Sequence, residues 1–203
     1  TSLSTILPTQ RASATGTTSA ALTIGGGVYL RGGTFDGRAH TLRITGALAL
    51  AGGTFYAPGA FTLDGAFVHT GGTYRQTKTV AGSAEVAFPK AGGVSIHPQG
   101  GDLGATEVVL VAGQACASAP SGAISHCYTV TPANPAGANP AMTFYYRDVD
   151  LAGSACPLML VYRRAGGGWS GSSASAWSTS TSAARSRRSA KAPEAAPICC
   201  ATR

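Results

Sequence analysis

The amino-acid sequence predicts an all-β protein: a β-solenoid of about 20-residue coils, then a small β-sandwich, then a disordered C-terminal tail. Three observations carry that prediction. One pattern is written three times between residues 22 and 80, short alternating apolar runs separated by Pro/Gly turns fill 94–169, and residues 170–203 lose both patterns.

Residues 1–21 (TSLSTILPTQRASATGTTSAA) are rich in Thr, Ser and Ala, with one apolar pair at Ile6 and Leu7. They read as a lead-in or as the eroded end of a preceding coil. The three copies follow as LTIGGGVYLRGGTF from Leu22, LRITGALALAGGTF from Leu42 and FTLDGAFVHTGGTY from Phe61. Matching columns are Leu22, Leu42 and Phe61; Ile24, Ile44 and Leu63; Val28, Leu48 and Phe67; and Phe35, Phe55 and Tyr74. His69 breaks the column of Leu30 and Leu50, which predicts an inward ring bonded to main chain or water.

A unit this short cannot hide its own apolar face, so copies stack, with equivalent residues about 4.8 Å apart. Leu42 and Ile44, then Leu48 and Leu50, point to one side of their strands, while Arg43 and Ala49 point to the other. The column of Gly26, Gly46 and Gly65, and the Gly-Gly pair after it, are expected to supply the positive φ of the corners. A meander that repeats by chance is the competing reading. After Val80, Val86 and Phe88, Pro89 interrupts the rhythm, which places the repeats at 22–93. An open last coil then needs covering.

Within 94–169, strand-like runs stand at 94–96, 106–112, 125–131, 141–148 and 158–164. Val109 and Val111, Tyr128 and Val130, Phe144 and Tyr146, and Leu158, Leu160 and Tyr162 supply the alternating apolar faces. The turn-rich segment TPANPAGANPA (131–141) is a loop. Antiparallel strands at this spacing predict a sandwich or half-sandwich.

The GGTF, GGTF and GGTY triplets, followed by SHCYTVTPANPAGANPAMTFYYRDVDL and LMLVYRRAGGGW, resemble bacterial secreted and cell-surface proteins. In those, adhesin-type GGTF repeats precede a small all-β, Ig-like module with strands of the form R-Y-Y-x-I-T-P-x-N and L-x-F-x-Y-R-D-x-E-L. The resemblance covers about residues 22–169 and implies architecture and an extracellular or cell-surface location more than a specific function. It ends after Trp169, where GSSASAWSTSTSAARSRRSAKAPEAAPICCATR replaces the strands expected to close the module. Composition reads 170–203 as a disordered basic tail. Two origins stay open: a tail that binds anionic polymer, or a frame slip in GC-rich coding DNA.

Of the 203 residues only 11% are charged and 28 are Gly, which suits a repetitive β surface protein better than a cytosolic enzyme. Arg185, Arg187, Arg188, Lys191 and Arg203 against Glu194 carry four of the seven net positive charges, so the basic balance belongs mainly to the tail. With no aromatic platform or phosphate-cradling loop beside it, nucleic acid is excluded as a partner of the folded part. No apolar run approaches the ~20 residues of a membrane span. Without an initiating Met or a signal peptide, the sequence reads as a monomeric segment of a larger chain.

Spacings of 11 and 29 between Cys116, Cys127 and Cys156 fit no zinc pattern. Unpaired small side chains are the favoured reading, and a Cys116–Cys127 disulfide in an oxidising compartment is the alternative. Asp36 and Asp64 fall in different columns, which keeps them from forming the carboxylate pair of a glycosidase. Asp148 and Asp150 read as a turn and edge pair rather than a calcium site. His40, His69, His97 and His126 have no nucleophile at a motif distance, so neither catalytic residue, metal nor cofactor is expected. A column of Thr34, Thr54 and Thr73 could order water, but the parallel rank Thr23, Arg43 and Thr62 is spoiled by its Arg.

The resulting expectation is a non-catalytic stalk or adhesive repeat whose partners are surface glycans or other surface proteins. Its outward columns are Arg31, Ala51 and Thr70, and Asp36, Tyr56 and Arg75. The candidate binding residues are Arg31, Asp36, Tyr56 and Arg75, with Tyr145 and Trp169 as a stacking platform together with Tyr146. The alternative is a polysaccharide-binding or polysaccharide-degrading β-helix protein.

Overall fold

The computed structural model describes residues 21–89, 93–119, 123–135 and 140–145 in full. At 4–5, at 146 and in five C-terminal strands it describes the backbone only. The described residues form strands and turns with no helix, so the protein is all-β. Two compact units divide the chain, Thr1–Thr77 and Lys78–Arg203.

In the first unit lie β1 (Ser4–Thr5), β2 (Ala21–Ile24), β3 (Val28–Leu30), β4 (Thr34–Asp36), β5 (Thr41–Ile44), β6 (Leu48–Ala57) and β7 (Phe61–Leu63). The residues of β8 (Phe67–Ala81) up to Thr77 complete it. Every pairing described here is parallel; apart from that of β1 with β3, each joins one copy of the repeat to the next. Leu22 faces Leu42, which faces Phe61; Val28 faces Leu48, which faces Phe67; Phe35 faces Phe55, which faces Tyr74. Main-chain bonds such as Val28 N to Ala47 O (2.8 Å) and Leu48 N to Ala66 O (2.9 Å) tie the same copies at the corners. These columns are the ones the alternation predicted, and no pairing within a copy is described.

Stacking like over like builds the core. Leu42, Ile44, Leu48, Phe55 and Tyr74 are fully buried, while their strand neighbours are not. The Phe35 and Phe55 rings stack at 4.8 Å with 3° between planes, and Phe55 and Tyr74 follow at 5.9 Å and 9°. His69 is 2% exposed, packs on Phe67 and bonds through Nε2 to Gly72 O at 3.1 Å, as its inward column predicts.

Two expectations about the repeat are corrected. Positive φ belongs to Gly33, Gly53 and Gly72, the second glycine of each pair, and not to Gly46 or Gly65. Those two are glycine because the backbones touch: a Cβ on Gly65 would lie 2.4 Å from Gly46 C, and one on Gly46 would lie 2.6 Å from Gly26 C. The column Arg31, Ala51 and Thr70 also fails, since a register shift pairs Ala51 with Gly71. The shift is local: the offset between the strands is 19 residues at Leu50 and His69, 20 at Ala51 and Gly71, and 19 again at Thr54 and Thr73, as a bulge that opens and closes within the corner gives.

The second unit holds the remainder of β8, β9 (Val86–Phe88), β10 (Val94–His97), β11 (Asp102–Ala112), β12 (His126–Pro132) and β13 (Ala141–Tyr146). Backbone-only strands follow as β14 (Met159–Ala165), β15 (Gly168–Ser172), β16 (Ala176–Ser178), β17 (Arg185–Ala190) and β18 (Ala196–Thr202). Antiparallel pairing orders them as β9-β10-β13-β17-β16 and as β11-β12-β18-β14-β15. Val86–Phe88, assigned from sequence to the end of the repeats, therefore pairs antiparallel with β10. Of the segment read as a tail, the described part is the backbone of β16, β17, β18 and the end of β15.

The two sheets meet where the Tyr128 ring packs edge-on against Phe144 at 5.2 Å and Tyr128 Oη donates to Tyr145 O at 2.6 Å. In β11 the buried face is Val108, Leu110 and Ala112, not Val109 and Val111. The run TEVVLVA is apolar in both phases, so alternation cannot choose between them. Pairing does: Val108 lies opposite Val130 and Leu110 opposite Tyr128, and residues directly opposite share a face. Cys116 and Cys127 form a disulfide, which corrects the preference for unpaired thiols; the bond closes an 11-residue separation between β11 and β12.

Two stability predictions follow from these contacts. Gly65→Ala should cost about 2–3 kcal/mol in urea unfolding, because the methyl meets main chain that cannot step aside. Gly25→Ala, whose Cβ would meet nothing within 4 Å, should stay within about 0.5 kcal/mol of the parent. Reducing the disulfide, or Cys127→Ser, should remove about 3 kcal/mol, the loop-closure value for that separation.

Candidate functional site

Asp36, Tyr56 and Arg75 stand in one register column across β4, β6 and β8. Each follows a buried or half-buried aromatic of the Phe35, Phe55 and Tyr74 column, so strand alternation turns it to the opposite, outer face. After Asp36 the chain turns, with Gly37 N donating to Tyr56 O at 2.9 Å and His40 N to Gly37 O at 3.0 Å. That turn carries Arg38 back over the column.

Asp36 Oδ1 accepts from Arg38 N at 3.1 Å and from Arg38 Nε at 2.9 Å, while Oδ2 accepts from Nη2 at 2.6 Å. Held in this fork, the Arg38 guanidinium lies over the Tyr56 ring, 4.4 Å from its centre. The Arg75 guanidinium approaches the same ring at 5.5 Å. One aromatic ring is thus flanked by two cations, with a single carboxylate orienting one of them. The Arg38 and Asp36 side chains are 62% and 45% exposed, so their pairing adds little to stability and acts mainly to fix geometry. The Arg38 side-chain hydrogen bonds hold the Asp36 carboxyl below its usual range, against an upward push from partial burial; the Arg38 amide and charge lower it further.

The remaining predicted residues do not join this cluster. Arg31 is exposed and lies over Tyr29 of its own copy, 4.9 Å from the ring centre. Tyr145 belongs to the second unit, where its side chain is half-buried and its amide donates to Gly93 O at 2.9 Å. Trp169 and Tyr146 have only their backbones described, so their side chains, and the platform they would form with Tyr145, lie outside the described residues. Asp148 and Asp150 lie outside them as well. Asp64 pairs with Arg43 of the preceding copy at 2.8 Å.

Arg38 escaped the sequence reading because it falls beyond the aligned columns. Its signal was the Asp-Gly-Arg turn after the first copy, where the second has Tyr-Ala-Pro and the third Arg-Gln-Thr. Among the described residues, no group of three or more His, Cys, Asp or Glu side chains could hold a metal ion. No helix in them is long and apolar enough to cross a membrane. Comparisons of the chain with protein-family models, curated proteins and solved structures find no match.

The geometry predicts a titration. With its folded-state pKa depressed, Asp36 contributes its pairing fully above the unfolded carboxylate value of about 3.9 and loses it as pH falls through the lower folded value. Carboxyl-detected NMR should place its midpoint below 3.9, and Arg38→Ala should bring it back to within about half a unit of that value. An unmoved midpoint in the variant would show that Arg38 does not set it.

Proposed function

We propose that this chain is a non-catalytic segment of a secreted or cell-surface protein, a β-solenoid followed by a β-sandwich, that serves as stalk and adhesive surface. The observation that carries the reading is the parallel, in-register stacking of three copies at steps of 20 and 19 residues, with like side chains over like. Such a ladder extends by adding copies and leaves its outer columns free to vary in chemistry. The Cys116–Cys127 disulfide supports an oxidising compartment. The likeness to bacterial surface proteins with GGTF repeats, quoted above on its motifs, points the same way.

The adhesive surface is the outer column at Asp36, Arg38, Tyr56 and Arg75. Arginine and tyrosine are the residue types that dominate binding energy at interfaces, and here they are already held in place. Asp36 and Asp64, the carboxylates of the repeats, each engage an arginine and stand in separate columns, which favours binding over acid-base cleavage of a polymer.

Beads coated with the full chain should be retained on arrays of surface glycans or surface proteins. The triple variant Arg38→Ala, Tyr56→Ala, Arg75→Ala should lose retention by about tenfold or more, the equivalent of one good anchor, with an unchanged far-UV CD spectrum. Retention should also weaken with added salt. Equal retention by the variant would remove the outer column from the interface, and release of reducing ends from a polysaccharide would replace adhesion with catalysis.

A further inference from the structure

The outer column of the repeats carries more positive charge than it neutralises, and that excess selects a partner. We infer that the face bearing Asp36, Tyr56 and Arg75 binds an acidic polysaccharide, whose carboxylate or sulfate groups meet the Arg38 and Arg75 guanidiniums. This rests on the adhesive role of the column and names its ligand class.

The charge is unevenly placed along the chain. Residues 1–77 contain five arginines, Arg11, Arg31, Arg38, Arg43 and Arg75, against two carboxylates, Asp36 and Asp64, a net charge of +3 with His neutral. Residues 78–169 balance, with five basic and five acidic side chains. The excess is a property of the whole first unit's sequence, wherever its side chains point. Both of its carboxylates already meet an arginine, Asp36 at 2.6 Å from Arg38 and Asp64 at 2.8 Å from Arg43. The unit has no third carboxylate to offer.

Geometry concentrates that excess on one ring. The Arg38 and Arg75 guanidiniums lie 4.4 and 5.5 Å from the centre of Tyr56, with the Asp36 carboxylate on Nε and Nη2 of Arg38. Two cations against one carboxylate leave the cluster positive. The negative face of the ring offsets part of the repulsion between them. An anionic oxygen group arriving there meets both, and carboxylate and sulfate suit the planar fork of a guanidinium. Because Arg38 already covers the ring, Tyr56 is a seat for cations rather than a platform for a neutral sugar.

The neighbouring rank supplies contacts for the sugar itself. Thr34, Thr54 and Thr73 stand in register two residues before Asp36, Tyr56 and Arg75, on the same outward side of β4, β6 and β8. Thr34 is exposed and the other two are half-buried, so the rank reaches the surface. Each hydroxyl both donates and accepts, as sugar hydroxyls do. The rank repeats at the strand spacing of about 4.8 Å, close to the length that one sugar adds to an extended polysaccharide. A chain laid along the stack sets its acidic groups over the arginines and its hydroxyls against the threonines. The six positions of the two ranks hold one aromatic and no aliphatic side chain, whereas the centre of a protein interface is apolar and its charges lie at the rim. That composition favours a hydroxyl-rich partner over a polypeptide.

The test is NMR titration of the full chain at physiological salt with four hexamers. Hexagalacturonate supplies carboxylates, a carrageenan hexasaccharide supplies sulfates, maltohexaose is the neutral sugar and hexaglutamate the acidic peptide. At least one acidic sugar should shift the amides of Thr54, Tyr56 and Arg75, and the one that does so tells carboxylate from sulfate. Arg75→Gln should weaken it by about tenfold, the loss of a charge-assisted hydrogen bond. Arg75→Lys keeps the charge without the fork and should recover part of that loss. Arg31→Gln removes the same charge outside the column and should weaken binding by less than about twofold, since salt screens exposed charges beyond about 8 Å. Arg185 to Arg203 stay in every variant, so binding there leaves the comparison unchanged. The proposal is overturned if neither acidic sugar shifts these amides, if maltohexaose or hexaglutamate shifts them at equal concentration, or if Arg31→Gln weakens binding as much as Arg75→Gln. In each of those cases, continued retention of the coated beads on glycan or protein arrays keeps the adhesive role and removes only the acidic ligand, whereas loss of retention removes both.

Discussion

The distance between paired strands governs the first unit. Backbones that hydrogen-bond in parallel lie about 4.8 Å apart, and the Phe35 and Phe55 rings stack at that same 4.8 Å because each ring rides on its own strand. A flat ring is thin enough to stack at this spacing, so an aromatic column is self-complementary in a way that a column of bulky branched side chains is not. The same spacing acts on the corners. Where Gly65, Gly46 and Gly26 follow one another, main chain meets main chain and even a Cβ is excluded. The repeat is therefore constrained twice, by what must fit on the inner face and by what must be missing at the corner.

Outer columns face the opposite situation. Identical charges stacked at that spacing would repel, and the chain avoids them: Asp36, Tyr56 and Arg75 alternate in character, and Arg43 stands between Thr23 and Thr62 while it reaches Asp64 of the next copy at 2.8 Å. Inward positions are repeated because packing demands it; outward ones differ because electrostatics demands that. Variation on the outer face is thus a physical consequence of stacking before it is a device for recognition.

What could be read from the sequence follows the same division. The inner columns were legible to the residue, since alternation and a nearly constant step leave one register that stacks each Leu and Phe on its counterpart, even where, as at Leu22, the side chain stays 37% exposed. The shift at Ala51 and Gly71 was not, because it opens and closes inside copies of equal length and leaves no gap in the aligned columns. In β11 both phases of TEVVLVA are apolar, and only its partner β12 decides which is buried. The disulfide was hidden for a related reason: two cysteines 11 residues apart meet only if the strands carrying them pair at that register. Arg38 shares the limit, since it acts through a turn outside the aligned columns.

Buried polar groups in each unit show how far the fold meets its own hydrogen-bonding needs. In the repeats, Gln76 is 2% exposed, yet its amide donates to Pro58 O at 2.8 Å and its oxygen accepts from Tyr74 Oη at 2.8 Å; His69 is as buried and bonds to Gly72 O. Both polar side chains enter the core with a main-chain partner already in place. His40 Nδ1 in the first unit and Ser95 Oγ in the second are each buried without a partner among the described residues, so both units carry such a cost. A replacement as small as Ala would fill the same space on β10 without the desolvation cost, so packing alone gives no reason for a hydroxyl there.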